Sequence, residues 1–400
     1  MKKRILFIMP SMFIGGAERS LLGLLENFDY EKYDVSLFLY RHEGEFLKFI
    51  PEQVNLIPEI KKYRTFDTPI KSLLKSSLFS FGIARILSKI ALKLHTISAG
   101  EKAGTWMSMQ YTAKFITPLL PPIPGTYDLG IMFLGVADPM IERVQAKRKI
   151  TWCHTDYDTL FPDRKMDLET YRKVDGVVAV SELCADKIKS FYPELEDKIN
   201  VIENIIGQRL LLKQADEEIS EIPEDKNEKV ILSVGRFCFA KNFDNVPDIC
   251  RRILNKGLDL RWYLIGYGGD EELIRQKIKE NGMEERVTLL GKRDNPYPYI
   301  KACDLYVQPS RYEGKCVTVR EAQILYKPVV IANYDTAHDQ LHDGIDGIIL
   351  PQSNEELAQG IFELLSDPSK LESLANNCKE FDYSNVGELQ KIYDWIEKDA

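Results

Sequence analysis

No run of this chain approaches the roughly 18 consecutive apolar residues that a membrane-spanning helix needs. The start, MKKRILFIMPS, has an apolar run of only about seven residues that leads into a glycine turn and a helix, so a first buried strand is expected rather than a signal peptide. An excess of basic charge is lacking too. The 400 residues carry a formal charge of −8, which excludes a general nucleic-acid binder. The seven cysteines (Cys153, Cys184, Cys238, Cys250, Cys303, Cys316 and Cys378) are scattered, odd in number and without the paired spacing of a metal site. They read as reduced thiols of a cytoplasmic protein. The dinucleotide fingerprint is also absent: the first loop reads GGAE, not GxGxxG, and no acidic ribose partner stands where that fingerprint requires one.

What is present is the repeating pattern of an α/β protein long enough for two domains. Buried strands are expected at Arg4 to Pro10, Asp34 to Tyr40, Val54 to Pro58, Tyr127 to Gly135, Arg148 to Cys153 and Val177 to Val180. A polar, acidic stretch from 207 to 228 reads as a linker. A second series of strands then begins with Val230 to Val234 and includes Arg261 to Gly266 and Val287 to Leu290. The boundaries expected are 1–206 for the first domain, 229–385 for the second, and 386–400 for a last helix that returns to the first.

The chemistry is concentrated between Gln308 and Asn333. A strand ends in a Pro-Ser turn, Arg311 to Cys316 form a glycine-containing loop, and Thr318 with Glu321 has the spacing of a capping box at a helix start. Glu313 and Glu321 stand eight positions apart, and the amides of Gly314, Lys315 and Cys316 lie between them, placed to hold a diphosphate. Upstream, Arg236 and Lys241 bring two cations beside a helix N-terminus, the guanidinium as a bidentate donor and the ammonium as a point charge. Gly15-Gly16 forms a first turn whose amides suit an anion, though a plain turn fits as well. His154 follows directly on a strand, where α/β folds place ligands.

These pieces, in this order, resemble the retaining glycosyltransferases of the large GT-B family 4. The likeness rests on E-GKCVTVR-E from Glu313, on G-R-FCFA-K from Gly235, on GGAER at Gly15 and on His154. It extends over nearly the whole chain and is weakest between Lys61 and Thr126, where an acceptor site is expected. The resemblance implies a GT-B architecture of two Rossmann-like domains facing each other across a cleft. It implies no cofactor, a nucleotide diphosphate sugar as donor (a uridine diphosphate sugar foremost), and hexosyl transfer with retention to a growing polysaccharide or lipid-linked glycan. Arg236, Lys241 and the 314–316 amides would hold the diphosphate, with Gly266 nearby in the GYG turn. Lys292 would lie near the nucleobase, Glu321 on the ribose and Glu313 on the sugar, with His154 orienting that sugar. Gly15 and Gly16 would contact donor or acceptor. Asp156-Tyr157-Asp158 mimics the DxD metal motif of another transferase fold, but the implied fold usually binds no metal. Two other classes stay open: an epimerase of the same fold and a catalytically silent partner-binding subunit.

The segment from Lys61 to Lys114 differs from the rest. Ten lysines and arginines stand against Asp67 and Glu101, interspersed with leucine, isoleucine and phenylalanine. At helical spacing this gives an apolar stripe beside a basic one. Either the stripe covers the sheet, or the segment docks on an anionic membrane at its cytoplasmic face.

Overall fold

The structure, a computed structural model, describes residues 2–100, 102–154, 157, 160–222, 228–313 and 316–397. Two compact units form, one from Met1–Ile205 with Val386–Ala400 and the other from Ile206–Asn385.

The first unit contains strands β1 (Lys3–Met9), β2 (Tyr33–Leu39), β3 (Asn55–Leu56), β4 (Thr126–Met132), β5 (Gln145–Cys153), β6 (Gly176–Ala179) and β7 (Ile199–Val201). Helices α1 (Gly16–Glu26), α2 (Ile70–Leu74), α3 (Phe79–Ala99), α4 (Thr105–Ile116), α5 (Asp138–Arg143), α6 (Arg164–Tyr171) and α7 (Glu182–Phe191) accompany them. The sheet order is β3-β2-β1-β4-β5-β6-β7, with every neighbouring pair parallel. Such a sheet is covered on both faces, which is why β1 reads as an unbroken apolar run and buries Ile5 to Met9 completely. The third strand, expected over Val54 to Pro58, pairs through only two residues at the sheet's edge.

The second unit begins with α8 (Gln208–Ala215), ahead of its sheet. Its strands are β8 (Lys229–Val234), β9 (Leu260–Ile265), β10 (Val287–Gly291), β11 (Leu305–Gln308), β12 (Val329–Ala332) and β13 (Ile348–Leu350). Between and after them run α9 (Val246–Asn255), α10 (Glu271–Glu280), α11 (Tyr297–Ala302), α12 (Val317–Ile324), α13 (Asn354–Leu365) and α14 (Pro368–Asn377). The strand order β10-β9-β8-β11-β12-β13 is again wholly parallel. Both units are therefore Rossmann-like, the α/β architecture expected. The stretch read as a linker is different. Its polar residues conceal Leu211, Ala215 and Ile222, which bury in the second core, so residues 208–222 are part of that unit.

Two contacts fix elements that matter below. Helix α4 is pinned to α6 by a buried polar cluster. Asp167 accepts from Trp106 Nε1 at 3.1 Å, from Gln110 Nε2 at 2.5 Å and from the Tyr157 hydroxyl. The last helix, α15 (Leu389–Glu397), packs on the first unit. Tyr393 stacks on Tyr33 with ring centroids 4.9 Å apart, meets Phe28 edge-on at 5.3 Å, and accepts the Asp29 amide at 3.0 Å. Removing that ring opens a cavity against β2. Tyr393→Ala should lower the hydrogen-exchange protection of β1 and β2 by about 2 kcal/mol and leave β8 and β11 unchanged. Equal loss in both units would show that the helix does not belong to the first unit alone.

Candidate active site

In each sheet the strand order reverses beside the first strand of the unit, at β1/β4 and at β8/β11. The chain leaves the two central strands in opposite directions there, so their following loops diverge and leave a crevice at the carboxyl ends. In the second unit those two loops are Gly235 to Asp244 and Pro309 to Glu313, the stretches that carry the two cations and the first glutamate.

The loops are stapled together. Asn242, in a left-handed conformation at φ 60°, donates Nδ2 to the Pro309 carbonyl at 2.9 Å. The Arg311 amide donates to the Ala240 carbonyl at 2.8 Å. The Arg311 guanidinium grips Asp244 through two bonds of 2.9 and 2.8 Å and lies over the Phe239 ring. This staple brings Lys241 Nζ to 2.5 Å from Glu313 Oε1, which also accepts from Ser310 Oγ at 2.6 Å. Both side chains are largely shielded, at 18% and 11% exposure. Burial acts to lower the Lys241 pKa, but the Cys316 sulfur and the Glu313 carboxylate together outweigh it, and the net direction is up. Burial pushes the Cys316 thiol up, with the lysine beside it acting the other way.

Helix α12 begins at Val317, with Cys316 as its N-cap and no side-chain cap. The capping box expected from Thr318 and Glu321 does not form. Glu321 is the fifth helical residue, past the turn whose amides are orphaned. The Thr318 hydroxyl instead lies 2.7 Å from the Tyr306 hydroxyl, and the Cys316 amide is taken by Gln340 Oε1 at 2.8 Å. Glu321, 1% exposed, accepts from the Tyr297 hydroxyl at 2.9 Å. The carboxylates thus occupy different environments, Glu313 on the loop with a cation and Glu321 inside the unit with a phenol.

Of the other expected residues, Arg236 is exposed and makes no hydrogen bond or ion pair among the described residues. Gly266 is required by close approach: a Cβ there would stand 1.8 Å from the Gly235 carbonyl oxygen. Its amide donates to the Gly291 carbonyl at 3.0 Å, and Phe237 donates to Tyr267 at 2.9 Å, so the loops after β8, β9 and β10 form one rim. Lys292 lies on that rim with its ammonium 5.9 Å from the centre of the Tyr267 ring. Gly314 and Lys315 lie outside the described residues, as do Asp156 and Asp158. Among the described residues no three His, Cys, Asp or Glu side chains cluster as a metal site. Sequence reasoning missed Ser310, Asn242, Asp244, Arg311, Tyr297 and Gln340. Asn242 had a signal, since asparagine is enriched in the left-handed region, whereas Gln340 reaches Cys316 across 24 residues with no local pattern.

In the first unit, Gly15 caps α1 in an extended conformation, and Glu18 folds back over it. A Cβ on Gly15 would stand 2.2 Å from Glu18 Oε2. Burial raises the pKa of that carboxyl, opposed by its own backbone amide. The helix end therefore already holds a carboxyl group, and Gly16 alone is left with open space beside it. A cavity of about 290 Å³ lies at the β1/β4 reversal, lined by Pro10, Tyr40, Asp67, Arg85, Ser108 and Gly135 among others. His154 follows β5 with both ring nitrogens buried and its ring 4.6 Å from Phe133.

Residues 214–381 match the family model of glycosyl transferases group 1. Over 152 residues the chain is 26% identical to an alpha-D-kanosaminyltransferase of Streptomyces kanamyceticus, covering 37% of this chain and 39% of that one. Over 211 residues it is 26% identical to a Campylobacter jejuni N-acetylgalactosamine-N,N'-diacetylbacillosaminyl-diphospho-undecaprenol 4-alpha-N-acetylgalactosaminyltransferase, covering 52% and 56%. The chain thus spans about half the length of the curated relatives it matches. Anabaena Alr3699/HepE in complex with UDP shares the fold with a TM-score of 0.63 at 19% identity, covering 98% and 99% of the two chains. Staphylococcus aureus TarM in complex with UDP reaches 0.66 at 15% identity, covering 99% and 100%. The resemblance seen in the sequence is borne out at the level of group 1 glycosyltransferases, and family 4 is consistent with it.

Burial holds the His154 pKa down to about 4, a backbone contact with Phe133 opposing it. The imidazole is therefore neutral at pH 7. The unfolded chain binds a proton below about pH 6.5 that the folded chain refuses until about pH 4, so this residue's contribution to stability falls as pH drops through that window. Between pH 7 and 5 the loss is about 2 kcal/mol. A histidine-resolved NMR titration should show the His154 ring neutral down to about pH 4. A midpoint near the ordinary value would refute the burial argument.

Proposed function

We propose that this chain, residues 214–381 of which match the group 1 glycosyltransferase model, transfers a hexosyl unit from a nucleotide diphosphate sugar to a hydroxyl, with retention at the anomeric carbon. The observation that carries this reading is the Lys241–Glu313 pair, set by two stapled loops at the β8/β11 reversal and beside the α12 N-terminus. Breaking a glycosyl-phosphate bond builds negative charge on the departing diphosphate and positive charge on the sugar ring. A cation and a carboxylate in contact supply both signs at one place. Lys241 has three N–H donors, one of them engaged by Glu313. A second is directed at Cys316 Sγ, 3.9 Å away, and the third is left for a phosphate, with the exposed Arg236 guanidinium as a further, bidentate ligand. Of the three amides expected on the phosphate, that of Cys316 is already taken by Gln340, which leaves those of Gly314 and Lys315 to complete the phosphate contacts. Glu313 serves the sugar and Glu321 the ribose. Lys292 and Gly266 stand on the rim near the base and phosphates.

A double-displacement route needs two carboxylates about 5 Å apart flanking the scissile bond. Glu313 is committed to Lys241 and Ser310, and Glu321 to a buried phenol, so neither is poised as that nucleophile. Departure and attack on one face, with the leaving phosphate taking the acceptor's proton, asks less of these residues. His154, uncharged, orients a sugar hydroxyl rather than moving a proton. The donor is a uridine diphosphate sugar foremost, consistent with the UDP held by both solved relatives. The acceptor is a glycan or lipid-linked glycan, for which the cavity at the β1/β4 reversal is the candidate, with Gly16 as a backbone contact. Protein cations carry the phosphate charge here, so no metal ion is required.

The test is incubation with a panel of uridine diphosphate sugars, following released UDP and the anomeric configuration of the product. Glu313→Gln and Lys241→Met should each lower kcat by about 10²- to 10³-fold, and a chelator should leave the native rate unchanged. An inverted product would end the retention claim. An epimerised sugar without UDP release would assign the fold to the epimerase class. Diphosphate binding without turnover of any donor would mark a silent subunit.

A further inference from the structure

We propose that the outward face of α3 docks on an anionic lipid bilayer, the helix lying in the plane of the headgroups. The two roles open to this basic segment, covering the sheet or meeting a membrane, fall on opposite sides of one helix. Phe81, Gly82, Ala84 and Ser88 are buried toward the core. Phe79, Ile83, Ile86, Leu87, Ile90, Leu94 and Ile97 are 38% to 68% exposed. At about 100° per residue these seven fall within a sector roughly 100° wide, nearly opposite the buried set. A patch of this kind is larger than scattered surface apolar residues produce.

The charge beside it says what covers it. Across residues 61–100 the only acid is Asp67. Two of the cations are already engaged. Arg64 pairs with Glu43 and Glu59, and Arg85 turns inward to donate to the Thr65 and Phe66 carbonyls at 2.7 and 2.6 Å. Lys71, Lys75, Lys89 and Lys93 are exposed and make no ion pair among the described residues. Lys89 and Lys93 flank the apolar sector on one side at helical spacing. A second copy of this helix would set lysine against lysine with no acid on the face to offset them. Anionic headgroups over acyl chains match both the charge and the apolar stripe. No described helix is long and apolar enough to cross the membrane, so α3 would lie on it.

The inner side of the same helix lines the β1/β4 cavity through Arg85. A bilayer against α3 would thus stand about one helix diameter, roughly 10 Å, from the candidate acceptor cavity. This last consequence rests on the acceptor reading above; the docking itself does not.

Co-sedimentation of the full chain with phosphatidylcholine vesicles, alone and with about 30 mol% phosphatidylglycerol, tests it. Binding is expected to the anionic vesicles only. It should fall at least about tenfold in Ile90→Glu/Leu94→Glu, and similarly in Lys89→Gln/Lys93→Gln, with melting temperatures unchanged because these side chains are exposed. A native chain that stays in the supernatant with both vesicles would overturn the proposal, as would full binding by either variant. A dimer in solution that Ile90→Glu/Leu94→Glu disperses would assign the face to a second copy instead. No donor sugar is present in the assay, so its failure is distinct from failure of the transferase reading.

Discussion

The second unit depends on one contact, the ammonium of Lys241 against the carboxylate of Glu313. Two charges taken this far from water cost several kcal/mol each unless they meet in good geometry. The surrounding bonds supply that geometry. Asn242 and Arg311 tie one loop to the other through backbone carbonyls, and Asp244 fixes Arg311 in turn. The strand order makes this necessary. Beside β8 the chain runs one way and beside β11 the other, so nothing covalent holds the two loops at the distance the pair requires. Side-chain bonds have to do so, and they sit where the backbone offers unpaired carbonyls.

The same pair separates the roles of the two glutamates. In the sequence they are equivalent members of one spacing. In the structure Glu313 faces a cation and a hydroxyl on a loop, while Glu321 is enclosed in α12 against Tyr297. A carboxylate paired with an ammonium is placed to answer positive charge developing on a sugar. One enclosed with a phenol is held in position as an acceptor of hydroxyl hydrogen bonds. The difference comes from neighbours on other elements, Lys241 and Tyr297, not from the helix that the spacing describes.

This marks the limit of what the sequence discloses. Repeating strand and helix patterns made the α/β class legible, because parallel strands buried on both faces cannot hide their apolar runs. Lys241 and Glu313 were each legible as site residues, since each lies in the loop after a recognisable strand, but their contact with each other was not, because it spans 72 residues. The second unit's start at Ile206 was not, because three buried side chains among many acids give no periodic signal. The capping box failed because spacing alone could not show that the helix starts one residue early and that Tyr306 claims the Thr318 hydroxyl. The two-sided nature of α3 was half legible. The stripe was visible, but which sector faced the core depends on α2 and α4 packing beside it.

The two helix N-termini near the sheet reversals show why a glycine turn and a free helix end do not by themselves make an anion site. At α1 the missing side chain of Gly15 lets Glu18 fold back over its own helix end, where burial favours the protonated carboxyl. An incoming phosphate there would compete with a group already tethered in place, whose effective concentration it cannot match. At α12 the carboxylate of the preceding loop, Glu313, is drawn instead to Lys241, and the Cys316 amide is taken by a neutral amide oxygen. A phosphate arriving there meets a cation and displaces no charge of its own sign. The decisive variable is where the nearest acid is held, and in the second unit Lys241 settles it.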